Sequence, residues 1–289
     1  MLGARSPPED MVMYAPKHTS HMGRADELLA MLREATAELC VDRQMGVLFS
    51  GGIDSTLVAA LAAETVPVRL YTIGLPGAHD LQVAEETASR LGLEWRPLVL
   101  QDREVIDSLL PLSRIIGKTS PLPLSFEMPL YLVCQRGEDK AYLSGQGADE
   151  LFGGYMRYLS LPEDMLRISM QRDLEELLGN GASMERSIAQ RFGRSIGHPY
   201  LSRKVVAVAS NLPLTDCVRQ GARKAILRDV AALLGLDFLV DREKKAAQYG
   251  SGVMKVMKAE ARRRGVLLGD LVADISARGE RVKGEGILP

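Results

Sequence analysis

The stretch that most constrains this chain is Val47-Leu48-Phe49-Ser50-Gly51-Gly52-Ile53-Asp54-Ser55-Thr56. An apolar run ends in Ser-Gly-Gly, and Asp-Ser-Thr leads at once into the apolar segment 57–63. That pattern reads as a buried strand, a tight turn, and a helix whose first N–H groups are uncovered. Such a helix start carries unpaired donors and positive partial charge, so a phosphate can settle there. Gly51 and Gly52 let the main chain approach an anion, and the hydroxyls of Ser50, Ser55 and Thr56 add donors. Asp54 is out of place beside a bare phosphate but fits if a divalent cation lies between them. A merely structural turn is the competing reading, and the missing lysine after the glycines excludes a Walker loop.

The remainder of the chain reads as alternating units. Residues 24–40 place Leu28, Leu32, Ala35 and Leu39 on one helical face. Residues 65–74 form a second strand, 80–91 a helix, 93–100 a third strand and 105–116 a helix. Residues 118–125 read as loop, 128–136 as helix and 140–143 as a short strand entering a second glycine-rich turn. Strands and helices alternating in this way predict an α/β fold, a parallel sheet with helices on both faces. Ligands then bind at the carboxyl ends of the strands, where both glycine turns fall. After about residue 160 the strand signal fades, and helices are expected over 163–179 and 222–234.

With 289 residues, 46% of them hydrophobic and 25% charged, the chain can bury a large core as one or two domains. No apolar run approaches the ~18–20 residues that span a bilayer. Residues 1–22 read as a loose leader without a signal core, and 275–289 as a flexible tail. Cys40, Cys134 and Cys217 form no paired motif, which predicts a reducing, cytoplasmic setting and argues against zinc. The four histidines have no metal-ligand spacing, and His18 and His21 are expected to be solvated in the leader. Residues 201–289 hold 17 basic and 10 acidic residues, a net +7 against −8 for the rest. Aromatic residues do not interleave with these bases, so a solvated basic face is favoured over a nucleic-acid surface.

The second turn, Leu143-Ser-Gly-Gln-Gly-Ala-Asp-Glu-Leu-Phe-Gly-Gly-Tyr155, sets Asp149 beside Glu150 among small residues. Paired carboxylates in a glycine nest suit a Mg2+–phosphate site, where the cation offsets their repulsion. Here the chain resembles the asparagine synthetases (synthetase domain) and the related β-lactam synthetases of the PP-loop ATP pyrophosphatases. Their signatures read Ser-Gly-Gly-x-Asp-Ser and Ser-Gly-Glu-Gly-x-Asp-Glu-x-Phe-Gly-Gly-Tyr. Ile73-Gly74-Leu75, Arg223-Lys224-Ala-Ile-Leu-Arg228 and Arg242-Glu243-Lys244 resemble further family segments. His198-Pro199-Tyr200 and Gly250-Ser251-Gly252 look more like β-lactam synthetase. The likeness spans about residues 25–255, within a domain expected over 23–274.

The resemblance implies an adenine nucleotide alpha-hydrolase-like fold with ATP and Mg2+. A carboxylate, aspartate or an analogue, would be activated as an acyl-adenylate and then attacked by ammonia or another amine. Ser50, Gly51, Gly52, Asp54 and Ser55 would hold pyrophosphate, with Asp54 and Asp149 as Mg2+ ligands. Phe49, Ile73, Ser144 and Gly145 would line the nucleotide pocket. Lys244 would stabilise charge at the reaction centre, Lys224 would assist at the phosphates, and Gln146 would face the nucleophile.

Three departures qualify the likeness. The 22 residues read as a leader are too few to form a glutaminase domain, so ammonia is expected from solution or a separate glutaminase subunit, and a homodimer is an open partner reading. Gln146 stands where the family has glutamate, and an amide takes no proton near neutral pH. Ser125 replaces an arginine expected in a substrate-binding loop, and Glu127 could meet a cationic substrate, although a surface acid at a helix start is the favoured reading. Two alternatives stay open: a PP-loop enzyme acting on RNA, and an ATP-binding regulatory protein without catalysis.

Overall fold

A computed structural model describes residues 20–239 and 250–275 of the chain. Five strands carry the fold: β1 Met45–Leu48, β2 Val68–Gly74, β3 Glu94–Val99, β4 Ala141–Leu143 and β5 Ser195–Gly197. They lie in the order β3-β2-β1-β4-β5, each neighbouring pair parallel. The chain therefore starts at the middle of the sheet, moves outward through β2 and β3, then returns past β1 to build β4 and β5. The reversal falls between β1 and β4, whose ends are in register at Val47 and Leu143. In open parallel sheets a crevice opens beyond the strand ends at that point.

Helices cover both faces: α1 His21–Leu39, α2 Ile53–Ala63, α3 His79–Leu91, α4 Asp102–Ile116, α5 Pro121–Arg136 and the short α6 Ala148–Leu151. Next come α7 Glu163–Glu176, a π turn over Leu177–Gly181 and α8 Ala182–Arg191, so that the chain stays helical from 163 to 191. Then come α9 Arg203–Ser210, α10 Leu214–Cys217, the hairpin of β6 Val218–Arg219 and β7 Ala222–Arg223, α11 Ala225–Leu233 and α12 Val253–Arg264, and residues 268–275 are again helical. Because side chains alternate across a strand, β2 sends Val68 and Leu70 into one apolar core and Tyr71 and Ile73 into the other. Likewise β4 gives Leu143 to the first core and Tyr142 to the second. Among the described residues no helix is long and apolar enough to cross a membrane.

The α/β alternation is as the sequence predicts, with four local corrections. Residues 121–125 are not loop, because α5 begins at Pro121. Proline at the first helical position sacrifices an N–H that would have no partner there anyway. Pro129 does interrupt the interior ladder, but Leu124, Met128 and 130–134 are all buried, and tertiary packing decides helicity more than propensity does. The strand signal does not end at 160: β5 adds a fifth strand of three residues, paired through Tyr142 to Ile196. α1 begins at His21, capped by Ser20, whose hydroxyl accepts the Gly23 N–H. His21 is therefore not a loose solvated residue; its Nε2 lies 2.8 Å from Asp229. The final helix of the expected 222–234 span starts only at Ala225, after the β6–β7 hairpin.

Candidate active site

The first glycine turn leaves the sheet directly above β1. The Phe49 N–H donates to the Tyr71 carbonyl at 2.8 Å, which keeps the chain in the sheet for one more residue. At Gly51 the backbone turns left-handed with φ +70°, and a Cβ there would lie 2.8 Å from the Val83 carbonyl oxygen. Glycine is required at 51 on both counts. Gly52 is the N-cap of α2 and supplies no side-chain hydrogen bond, so the first helical N–H groups face the crevice without a cap. The Ser50 and Ser55 hydroxyls sit 3.3 Å apart beside them. Thr56 is different: its hydroxyl donates to the Gly52 carbonyl at 2.8 Å and is fully used within the turn.

The second turn packs straight onto the first. A Cβ on Gly145 would come within 3.0 Å of the Asp54 Cβ and 3.2 Å of the Ser55 nitrogen. The Ser144 hydroxyl accepts the Gln146 N–H at 3.3 Å and lies 3.0 Å from His198 Nδ1. Asp149 and Glu150 open α6, and they part company there. Glu150 turns inward, takes the Tyr155 hydroxyl at 2.5 Å, and is pushed above the usual carboxylate range by burial. Asp149 turns toward Lys224.

Lys224 brings the two motifs to one point. Its ammonium lies 2.6 and 2.7 Å from the Asp54 carboxylate oxygens and 2.5 Å from Asp149 Oδ1. The lysine is 4% exposed. Its backbone adopts the left-handed region, φ 57° and ψ 41°, between β7 and α11, a conformation that costs energy for a residue with a Cβ. Beneath this contact lies Gly154, where any Cβ would collide with both the Asp149 carboxylate and the Lys224 side chain. Two carboxylates from turns after β1 and β4 thus share one cationic group. Mg2+ is commonly bound by one or two carboxylates, with substrate phosphates and water completing its shell. Asp54 and Asp149 fit that role.

The remaining sequence-predicted residues fall as follows. Phe49 and Ile73 are 3% and 4% exposed and belong to the two apolar cores. Ser144 and Gly145 stand at the junction of the two turns, and Gln146 is partly exposed on the side of the π turn near Gly181. Lys244, with Arg242 and Glu243, lies outside the described residues. Ser125 is within α5 and fully buried, its hydroxyl donating to the Leu122 carbonyl at 2.8 Å. Glu127 is not a surface acid at a helix start: it sits in the second turn of α5, is 6% exposed, and burial pushes its carboxyl up to about 8. Sequence reasoning missed Glu185 altogether. On α8 the buried positions are Ala182, Glu185, Ile188 and Ala189, so the signal was an acid on an apolar helical stripe.

A profile of asparagine synthase matches residues 27–197 and 163–273. The chain belongs to the asparagine synthase family. A Methanocaldococcus jannaschii relative, whose name is that of a glutamine-hydrolysing asparagine synthetase, is 30% identical over 262 residues, covering 77% of this chain and 48% of that protein. Asparagine synthetase B of Escherichia coli, also named glutamine-hydrolysing, is 26% identical over 226 residues, 71% of this chain and 41% of that one. This asparagine synthase family member thus spans about half the length of those relatives. Among solved structures, an NMN synthetase from Francisella tularensis aligns over 94% of this chain and 99% of that one, with 13% identity and a TM-score of 0.44.

Proposed function

We propose that this chain is an ATP-dependent amide-bond synthetase that releases AMP and pyrophosphate, activating a carboxylic acid as its acyl-adenylate for attack by ammonia or another amine. The observation that carries the reading is the meeting of Asp54, Asp149 and Lys224 at the reversal point of the sheet. Three charged groups gathered beside an uncapped helix start suit a polyphosphate. In this scheme the N–H groups at the start of α2, with Ser50 and Ser55, receive the pyrophosphate as it leaves the α-phosphorus. Asp54 and Asp149 hold Mg2+, which when bound neutralises phosphate charge. Lys224 offsets the repulsion between the two carboxylates and presents positive charge to the same phosphates, and such preorganised charge is commonly the largest catalytic contribution. Lys244 enters on the family resemblance alone, as a second cation for the reacting centre, and Gln146 as a hydrogen-bonding group toward the nucleophile. The functional domain is assigned to 23–274, and three free cysteines favour the cytoplasm.

The RNA reading is weakened, because several of the described bases of the C-terminal part have partners within the chain. Arg263 and Arg264 engage Glu260, Arg219 engages Asp229, and Arg223 donates to the Gly154 carbonyl. The test is product analysis after incubation with ATP, Mg2+, pooled carboxylic acids and hydroxylamine, which captures an acyl-adenylate whichever amine is natural. AMP and hydroxamate formation are expected. ATP binding with no AMP from any acid would overturn the assignment and leave the regulatory alternative.

A further inference from the structure

Behind the second turn lies a group of side chains that the phosphate chemistry does not use. Glu127 on α5, Glu185 on α8 and His198 at the end of β5 are 6%, 8% and 8% exposed. His198 Nδ1 is 3.0 Å from the Ser144 hydroxyl and 3.4 Å from Glu185 Oε2. Glu185 Oε2 and His198 Nε2 are buried without a hydrogen-bond partner among the described residues. Buried polar atoms are nearly always bonded, and each one left unmade carries a desolvation cost. The Ser144 hydroxyl also bonds the Glu185 carboxyl, but among the described residues no partner completes these two atoms.

The chemistry of that partner follows from the lining. Carboxylates accept hydrogen bonds, and a neutral imidazole whose Nδ1–H is directed at Ser144 offers only an acceptor at Nε2. Burial keeps His198 neutral, down at about 4. It holds Glu185 well above the usual carboxylate range, and the neighbouring Glu127 and Glu150 raise it further. The nearest base on α8, Arg186, is exposed and only weakly offsets this. Two neighbouring buried acids repel phosphate and carboxylate when ionised and offer them no positive charge when protonated, so neither ATP nor the acid to be activated belongs here. A donor-rich cation does: it would satisfy the open acceptors and relieve the acid–acid repulsion together.

Position ties the group to the reaction. Ser144 is shared between this cluster and the second glycine turn, and Gln146 donates its N–H to that same hydroxyl. The π turn that precedes α8 passes Gln146, and π turns often mark functional sites. We propose that Glu127, Glu185 and His198 seat a protonated amine, ammonium or an alkylammonium, as the amine substrate of the ligase. This deepens the proposed function and rests on it for the word substrate; the seat itself does not.

The test therefore leaves ATP out. Thermal unfolding of the full chain is followed near pH 8, where Glu127 titrates, in ammonium, methylammonium and tetramethylammonium chloride at equal ionic strength. Ammonium or methylammonium is expected to raise the unfolding temperature in a saturable way, and tetramethylammonium, which has no N–H, is not. Glu185→Gln and Glu127→Gln should each raise the half-saturating concentration about tenfold or more, the loss of one hydrogen bond to a charged group. Three salts acting alike, or wild-type response in both variants, would overturn the seat. Should Glu185→Gln fail to fold, Glu127→Gln decides alone. Failure here with AMP formation intact removes only the seat, and cation binding without AMP formation removes only the ligase.

Discussion

Two charged clusters meet at the second glycine turn, and they are built on opposite terms. On one side, Asp54 and Asp149 close on the Lys224 ammonium at 2.5–2.7 Å. On the other, Glu127 and Glu185 sit among apolar helices with a neutral histidine and, among the described residues, no buried lysine or arginine beside them. Burial alone does not separate them, because Asp54 and Glu127 are 4% and 6% exposed. What separates them is whether the chain supplies the counter-charge. The first cluster is complete and preorganised for an anionic ligand beside its cation. The second is incomplete among the described residues and, on the proposal above, is completed by a cationic ligand. The proposed joining of an acid to an amine calls for this division of charge.

The sharpest way to break the comparison is to remove the cation from the complete cluster. Lys224→Met should abolish AMP formation by about a thousandfold or more and cost about 3–5 kcal/mol by leaving buried carboxylates uncompensated, read by product release and urea unfolding. Adding Asp54→Asn to that variant should recover much of the stability and none of the activity; stability left unrecovered would mean the lysine acts by packing. Gly154→Ala comes next. Its new methyl pushes Asp149 and Lys224 apart, so it should cost about 1–3 kcal/mol and weaken Mg2+-dependent ATP binding, measured by calorimetry.

The incomplete cluster is probed by pH. Because burial pushes the Glu127 carboxyl up to about 8 in the folded chain from its ordinary 4.5, the folded state holds more protons between those values, and stability falls as pH rises through that window. One such group contributes up to ~1.4 kcal/mol per pH unit. Glu127→Gln should flatten the fall in urea midpoint over that range, and an unchanged slope would show that Glu127 is ionised throughout. The smallest effect is expected at the hinge between the clusters: Ser144→Ala removes the hydroxyl that meets His198 and the Gln146 N–H, at about 1 kcal/mol.

How much of this was legible beforehand differs by cluster. The complete one was nearly all visible, since a phosphate turn is a short local pattern of glycines and hydroxyls, and Asp54 and Asp149 stand inside such patterns. The sheet was visible for the same reason, through strand-to-helix alternation. β5 escaped because three residues with one buried side chain, Ile196, carry almost no period. The start of α5 was missed because Pro121 and Pro123 outweighed its apolar packing. Glu185 and Glu127 were hidden more deeply. Each lies alone in a helix of unrelated sequence, and only the packing of α5 against α8 brings their charges together.

The contact between Lys224 and Asp54 spans 170 positions of sequence, and this has a consequence for how the chain matures. A loop of that length closes late, after local helices and neighbouring strands are in place. Until α11 docks, Asp54 and Asp149 face each other with only solvent ions between them. The lysine proposed to serve the phosphates would therefore also act as a latch on assembly, and a chain that stalls before residue 224 would hold a formed sheet with an unlatched centre.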